Sequence, residues 1–313
     1  MSAVDDFVSI KSLVEEEICW SPLEGYNYAF LDENTKRRVR RALFKALALP
    51  GHQIPYGSPE MPIARGWGTG GLHITMSIIG PDDILKVIDQ GGDAVVNACN
   101  IRRLLEKTAG VRTTTSTAAA TVIQTRHRIP EKPLRRDQIL VLQVPLPEPL
   151  RMVEPLEERT RQMHAEQDYS RALVTLYEQV VRHGEITIGA GYPVLVNGRY
   201  LMNPSPIPRW DVPKLNMSDC TYLFGAGREK RIYAVPPHTR VEPLEFEDYP
   251  FRVEDFTGRC CQRCGSTQSY LDEIVLGSDT RYYLCSDSDY CDERLAEKEE
   301  HGSLDTGKVG SGA

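Results

Sequence analysis

Ala94-Val-Val-Asn-Ala-Cys-Asn-Ile-Arg-Arg-Leu-Leu-Glu-Lys107, Ala118-Ala-Ala-Thr-Val-Ile-Gln-Thr125 and Gln138-Ile-Leu-Val-Leu-Gln-Val144 follow one another along the chain. The first reads as a helix and the other two as strands. Upstream, Leu72 to Ile79 alternates like a strand and Asp82 to Asp89 reads as a helix. Asp32 to Leu49 is a helix with Arg37, Arg38, Arg40 and Arg41 on one side and Val39, Leu43 and Leu47 on the other. Pro50-Gly51 stops it, and on local grounds Gly51 is the glycine that ends a helix. Helical and β-rich segments therefore interleave. That predicts an α/β fold with a mixed α+β sheet core.

Downstream, Met152 to His183 is helical. Tyr169, Ala172, Leu173, Leu176, Tyr177, Val180 and Val181 fall on one stripe, preceded by a charged run from Glu154 to Gln167. This reads as a helical hairpin inserted into the sheet domain and projecting from it. Tyr192 to Met202 is a β-hairpin turned by Asn197-Gly198, a pair suited to a type I′ turn. Residues 203–213 are proline-rich and expected to be ordered only by packing. Tyr222 to Pro237 carries Gly225-Ala-Gly227-Arg-Glu-Lys-Arg231 into a strand. The expected domains are a weakly ordered extension over 1–20, a core over 21–255 with a helical insertion at 152–184, a cysteine-rich module over 256–295, and a disordered tail over 296–313.

That module holds the densest chemistry. Cys261-Gln-Arg-Cys264, Cys285 and Cys291 form a C-x2-C-x20-C-x5-C pattern. A CxxC pair turns two thiolates toward one metal, and two more returning across a hairpin close a four-sulfur site. Soft thiolates select zinc or iron–sulfur, and spacing alone leaves both open. Cys260 is a spare thiol beside Cys261. Cys19, Cys99 and Cys220 are isolated and read as reduced thiols.

Composition bounds the partners. A charged fraction of 26% and a hydrophobic fraction of 41% describe a globular chain. The net charge of −7 argues against non-specific nucleic-acid binding. The acidic N-terminus lacks a leader pattern and no apolar run is long enough to span a membrane, so a cytoplasmic, reducing setting is expected. There, clustered cysteines are metal ligands rather than disulfides. An anionic small molecule needs local cations. Arg126-His127-Arg128 at a strand end is one candidate and Arg228, Lys230 and Arg231 a second, each with a solvated charge run as its alternative. Gly66-Trp-Gly-Thr-Gly-Gly71 precedes strand-like residues rather than a helix. It is therefore an anion nest or a turn, not a dinucleotide fingerprint.

Several long stretches are similar to one family. These are Gly25-Tyr-Asn-Tyr-Ala-Phe-Leu-Asp-Glu33, Gly66 to Gly71, Ile123-Gln-Thr-Arg-His-Arg-Ile-Pro-Glu131, Pro204-Ser-Pro-Ile-Pro208, Leu223 to Pro237 and Cys285-Ser-Asp-Ser-Asp-Tyr-Cys291. Together they resemble the PhnJ family, the radical-generating subunit of carbon–phosphorus lyase, over roughly Pro22 to Asp292. The resemblance implies cleavage of the C–P bond of α-D-ribose 1-methylphosphonate 5-phosphate to methane and 5-phosphoribose 1,2-cyclic phosphate. It implies a 4Fe–4S cluster on Cys261, Cys264 and Cys285, S-adenosylmethionine as co-substrate, a glycyl radical at Gly51 and a thiyl radical at Cys291. Arg126, His127 and Arg228 are then the expected substrate ligands. Zinc on all four cysteines is the alternative in aerobically handled protein. A non-catalytic scaffold with structural zinc is the rival function. Expected partners are the PhnG, PhnH and PhnI subunits and the ATP-binding-cassette protein PhnK, around a homodimeric core. The 152–183 insertion is the expected docking surface for PhnK.

Overall fold

A computed structural model describes residues 33–48, 53–55, 69–89, 92–126, 128–144, 148, 150–184, 194–202, 208–226, 231–244, 256–278 and 280–305. Gly51, His127, Arg228, the N-terminal extension and residues 306–313 lie outside them.

Seven strands form the main sheet: β1 (Gln53–Pro55), β2 (Ile84–Ile88), β3 (Arg112–Thr113), β4 (Val122–Thr125), β5 (Ile139–Gln143), β8 (Thr221–Ala226) and β9 (Arg231–Val235). Their order is β1-β9-β8-β5-β4-β2-β3. β3, β2, β4, β5 and β8 run parallel, while β9 and β1 close one edge antiparallel. The mixed sheet expected from the sequence is therefore present.

The central strands read as nearly continuous apolar runs because both faces are covered. Along β5, Leu140 and Leu142 enter one core and Val141 the other. Tyr222 and Phe224 of β8 alternate with Leu223 in the same way. One face is covered by α1 (Glu33–Ala48), α2 (Thr69–Ile78) and α3 (Val96–Ala109) through Val39, Leu43, Leu72, Ile74, Ile101 and Leu105. The other is covered by α5 (Glu157–Glu166), α6 (Ser170–His183) and α7 (Pro208–Leu215), together with the hairpin of β6 (Val194–Val196) and β7 (Tyr200–Met202). A short helix α4 (Leu150–Val153) leads into α5, and β10 (Val241–Pro243) pairs with β6.

Several local expectations are met. The helix read over 32–49 is α1, and the helix read over 94–107 is α3, ended by Gly110 in the left-handed region at φ 62. Asn197 and Gly198, at φ 51 and 68, make the type I′ turn between β6 and β7. The helical reading of 152–183 holds as well, but the helices do not project from the sheet domain; they pack into the core on one of its faces. Its stripe packs into the core through Tyr169, Ala172 and Leu176, while Val174, Tyr177 and Val181 face outward.

Other expectations are corrected. Leu72 to Ile79 is not a strand but most of α2. His73, Thr75 and Ser77 alternate with apolar residues yet are equally buried, because sheet and α1 enclose the helix on all sides. Ser77 donates to the His73 carbonyl at 2.7 Å, as a buried helical hydroxyl does. Asp82 to Asp89 is not a helix. Ile84-Leu-Lys-Val-Ile88 is β2, a short β-branched run paired on both sides. Within 118–125 only Val122–Thr125 is strand; residues 117–119 form a turn. The proline-rich stretch becomes helical at Pro208, a residue suited to a first turn, and Val212 and Leu215 anchor α7 in the core. The tail read as disordered from 296 is helical as far as Asp305. There α8 (Ser288–Asp305) continues through Glu- and Lys-rich sequence with strong helix propensity.

Candidate metal centre

The C-terminal module is a two-stranded hairpin, β11 (Leu271–Leu276) and β12 (Thr280–Cys285), followed by α8. Cys261 and Cys264 lie on a tight turn: the Gly265 amide donates to the Cys261 carbonyl at 2.7 Å, and Gly265 takes φ 71. The Gln262 amide donates to Tyr283 O at 2.9 Å, which pins the turn to β12. Cys285 ends β12 and Cys291 lies in the first turn of α8. Turn, strand end and helix start therefore aim four sulfurs inward.

All four sulfurs lie within 4.8 Å of one another. Cys261 Sγ is 3.7 Å from Cys291 Sγ, and Cys264 Sγ is 3.5 Å from Cys285 Sγ. A four-sulfur tetrahedron with metal–sulfur bonds of about 2.3 Å has edges of about 3.8 Å. The donor set thus fits a thiophilic metal, and its spacing matches one ion. A four-iron cluster puts each thiolate on a different iron, so the sulfurs would have to spread. Cys260 is exposed and outside the set.

The site favours unequal thiols. Burial pushes the Cys261 thiol up, but amide donors from Cys264 and Cys285, each 3.4 Å from its sulfur, outweigh this and bring it to about 7. Burial, with Cys261 beside it, pushes Cys291 up to about 12. Burial pushes Cys285 up as well, against a hydrogen bond from Ser269. Metal binding removes these protons.

The sheet topology gives the site its setting. From β2 the chain steps to β3 on one side, then crosses back to β4 on the other. In open α/β sheets, ligands bind outside the carboxyl ends of the strands at such a reversal. Asp89 follows β2 and Arg126 follows β4. They form a two-pronged ion pair, Nε to Oδ1 at 2.9 Å and Nη2 to Oδ2 at 3.2 Å. The cysteine module docks beside them through residues 128–132. The Arg128 guanidinium stacks 2.9 Å over the Tyr270 ring. Glu131 accepts from the Tyr270 amide at 2.8 Å, donates its own amide to Asp287 at 3.0 Å and pairs with Lys214 at 2.9 Å. Lys132 pairs with Asp289 and Glu293.

Of the residues singled out from sequence, the structure unites the four cysteines and places Arg126 at the adjoining strand end, already paired with Asp89. Sequence reasoning missed Asp89, Asp93, Asp287 and Lys86. One signal was legible: a lysine in the middle of an apolar strand.

The chain matches the family model described as phosphonate metabolism protein PhnJ over residues 24–297. It is 56% identical over 279 residues to a protein of Escherichia coli (strain K12) named alpha-D-ribose 1-methylphosphonate 5-phosphate C-P lyase. That alignment covers 89% of this chain and 99% of the relative. A protein of Rhizobium meliloti (strain 1021) with the corresponding name is 56% identical over 275 residues, covering 88% of this chain and 92% of the relative. With its cysteine module inside the matched span, this chain belongs to the PhnJ family of phosphonate metabolism proteins.

Proposed function

We propose that this chain cleaves the carbon–phosphorus bond of α-D-ribose 1-methylphosphonate 5-phosphate, forming methane and 5-phosphoribose 1,2-cyclic phosphate. The observation that carries this reading is a converged four-cysteine centre, placed at the reversal of the sheet, in a chain whose relatives bear that lyase name. An alkylphosphonate offers no good leaving group, so proton transfer alone does not open the bond. Cys261, Cys264 and Cys285 are the residues that would hold a 4Fe–4S cluster. When bound with S-adenosylmethionine, that cluster supplies the one-electron chemistry. Once Gly51 has lost its Cα hydrogen, it would take the Sγ hydrogen of Cys291. The Cys291 sulfur would then bond phosphorus as the C–P bond breaks. The departing methyl would take its hydrogen from Gly51 Cα to become methane, and the ribose 2-hydroxyl would displace the sulfur to close the cyclic phosphate. Arg126, His127 and Arg228 bind phosphate oxygens, with Asp89 orienting the Arg126 fork. The chain works with PhnG, PhnH, PhnI and PhnK in a multisubunit, homodimeric assembly.

The sulfur spacings favour a second reading, a zinc ion on all four thiolates in a non-catalytic scaffold. One variant separates the two. Cys291→Ala, reconstituted with iron without oxygen and assembled with its partners, should retain a cluster spectrum. It should still convert S-adenosylmethionine to 5′-deoxyadenosine while releasing no methane. Methane from this variant would remove Cys291 from the chemistry. Wild-type protein that keeps zinc and takes up no iron would establish the scaffold.

A further inference from the structure

We propose that Lys86 is a positioning residue, which through Asp287 and Asp93 sets where the four-cysteine centre stands against the sheet. Its effect on turnover rests on the lyase reading above; its effect on the module does not.

Lys86 is the middle residue of β2. Its neighbours Leu85 and Val87 enter the core beneath α1–α3, so its own side chain leaves the opposite face. It is wholly buried, in a strand position that Val or Ile would fill at lower cost. A lysine ammonium has three donors. Nζ lies 2.8 Å from Asp287 Oδ1, 3.1 Å from Asp93 Oδ2 and 2.5 Å from the Thr115 carbonyl. Each donor has a named acceptor, and two of these acceptors reach the metal centre's own segment.

Asp287 lies between Cys285 and Cys291. Its carbonyl accepts the Cys291 amide at 3.1 Å, so it opens the helical turn that carries that thiol. Its second carboxylate oxygen accepts the Glu131 amide at 3.0 Å. Asp93 grips the next residue, accepting Ser288 Oγ at 2.8 Å and the Ser288 amide at 3.3 Å, while the Asp93 amide donates to Ser286 O at 3.3 Å. Residues 286–288 are thus held from β2, from the loop after it and from the loop after β4. None of these contacts uses a cysteine sulfur. The module has its own apolar cluster of Phe256, Tyr270 and Leu271. A buried ion triad is a poor source of stability compared with apolar packing of the same volume, but its hydrogen bonds are directional. Its location on the segment between two metal ligands makes it a register for the centre rather than a staple for the fold.

The test uses the full-length protein. Lys86→Met should bind Co2+ with unchanged stoichiometry and an unchanged thiolate charge-transfer spectrum, because the four sulfurs are untouched. Amide exchange at Ser286 to Cys291 should accelerate about tenfold or more, as expected when a buried charge pair is broken locally. In the assembled enzyme kcat should fall with KM for the phosphonate unchanged. Asp287→Asn keeps the side-chain shape and removes the charge. It should give the same local release, and the double variant should be no worse than Lys86→Met alone. Unchanged exchange at 286–291, additive effects of the two substitutions, or full kcat in Lys86→Met would each overturn the proposal. If Lys86→Met does not fold, the exchange measured in Asp287→Asn decides. A wild-type assembly that makes no methane would sink the lyase reading and leave the exchange result standing.

Discussion

Asp211, on α7, is fully buried. Burial pushes its carboxyl up to about 6, against the pull of Lys214 and Arg128. Folded Asp211 therefore holds its proton more tightly than the unfolded chain does. Its contribution to stability is present below about pH 4 and is lost as pH rises to about 6. Asp211→Asn should accordingly stabilise the protein at pH 7 by up to about 3 kcal/mol. The gain should vanish near pH 4. Urea unfolding at both pH values checks this, and an equal effect at both would mean that the carboxylate is not the source. Lys86, by contrast, is buried with carboxylates on two sides.

Among the elements, α2 shows how closely a helix approaches this sheet. The Gly71 amide is capped by the Gln143 side chain of β5. A Cβ on Gly225 of β8 would meet Ile74 Cδ1 at 2.5 Å and the Gly70 backbone at 3.0 Å. The helix start can sit on the strand ends only because neither element has a side chain there. Gly225→Ala should push the two apart and lower stability by about 1–3 kcal/mol, the usual range for an overpacked core. The midpoint of chemical denaturation measures it. An unshifted midpoint would mean that the Ile74 side chain absorbs the methyl.

At the scale of the whole molecule, the cysteine module has a small apolar cluster, four converged thiols that could hold a metal, and polar contacts with the sheet. The sheet has two extensive cores of its own. Stripping the metal with a chelator should therefore abolish hydrogen-exchange protection over 256–295 while β5 and β8 stay protected. Simultaneous loss in both regions would show that the two cooperate as one folding unit. Among the described residues, no helix is long and apolar enough to cross a membrane.

The amino-acid sequence by itself determined what depends on local chemistry. The C-x2-C-x20-C-x5-C spacing declared a four-sulfur site because a CxxC turn and a hairpin end place thiols together in almost any context. Asn197-Gly198 specified its turn through backbone sterics alone, and the stripe on α6 specified its buried side at Tyr169, Ala172, Leu176 and Val180 but not at Tyr177 or Val181. Tertiary structure decided whatever depends on enclosure. Leu72 to Ile78 alternates in sequence yet is helical, since burial on every side removes the contrast that periodicity relies on. Ile84 to Ile88 became a strand because β3 and β4 flank it, a fact no local window contains. The arrangement around the metal centre is of the same kind. Lys86 and Asp287 stand 201 residues apart, and only the docking of the cysteine module on the loops after β2 and β4 brings ammonium and carboxylate to 2.8 Å.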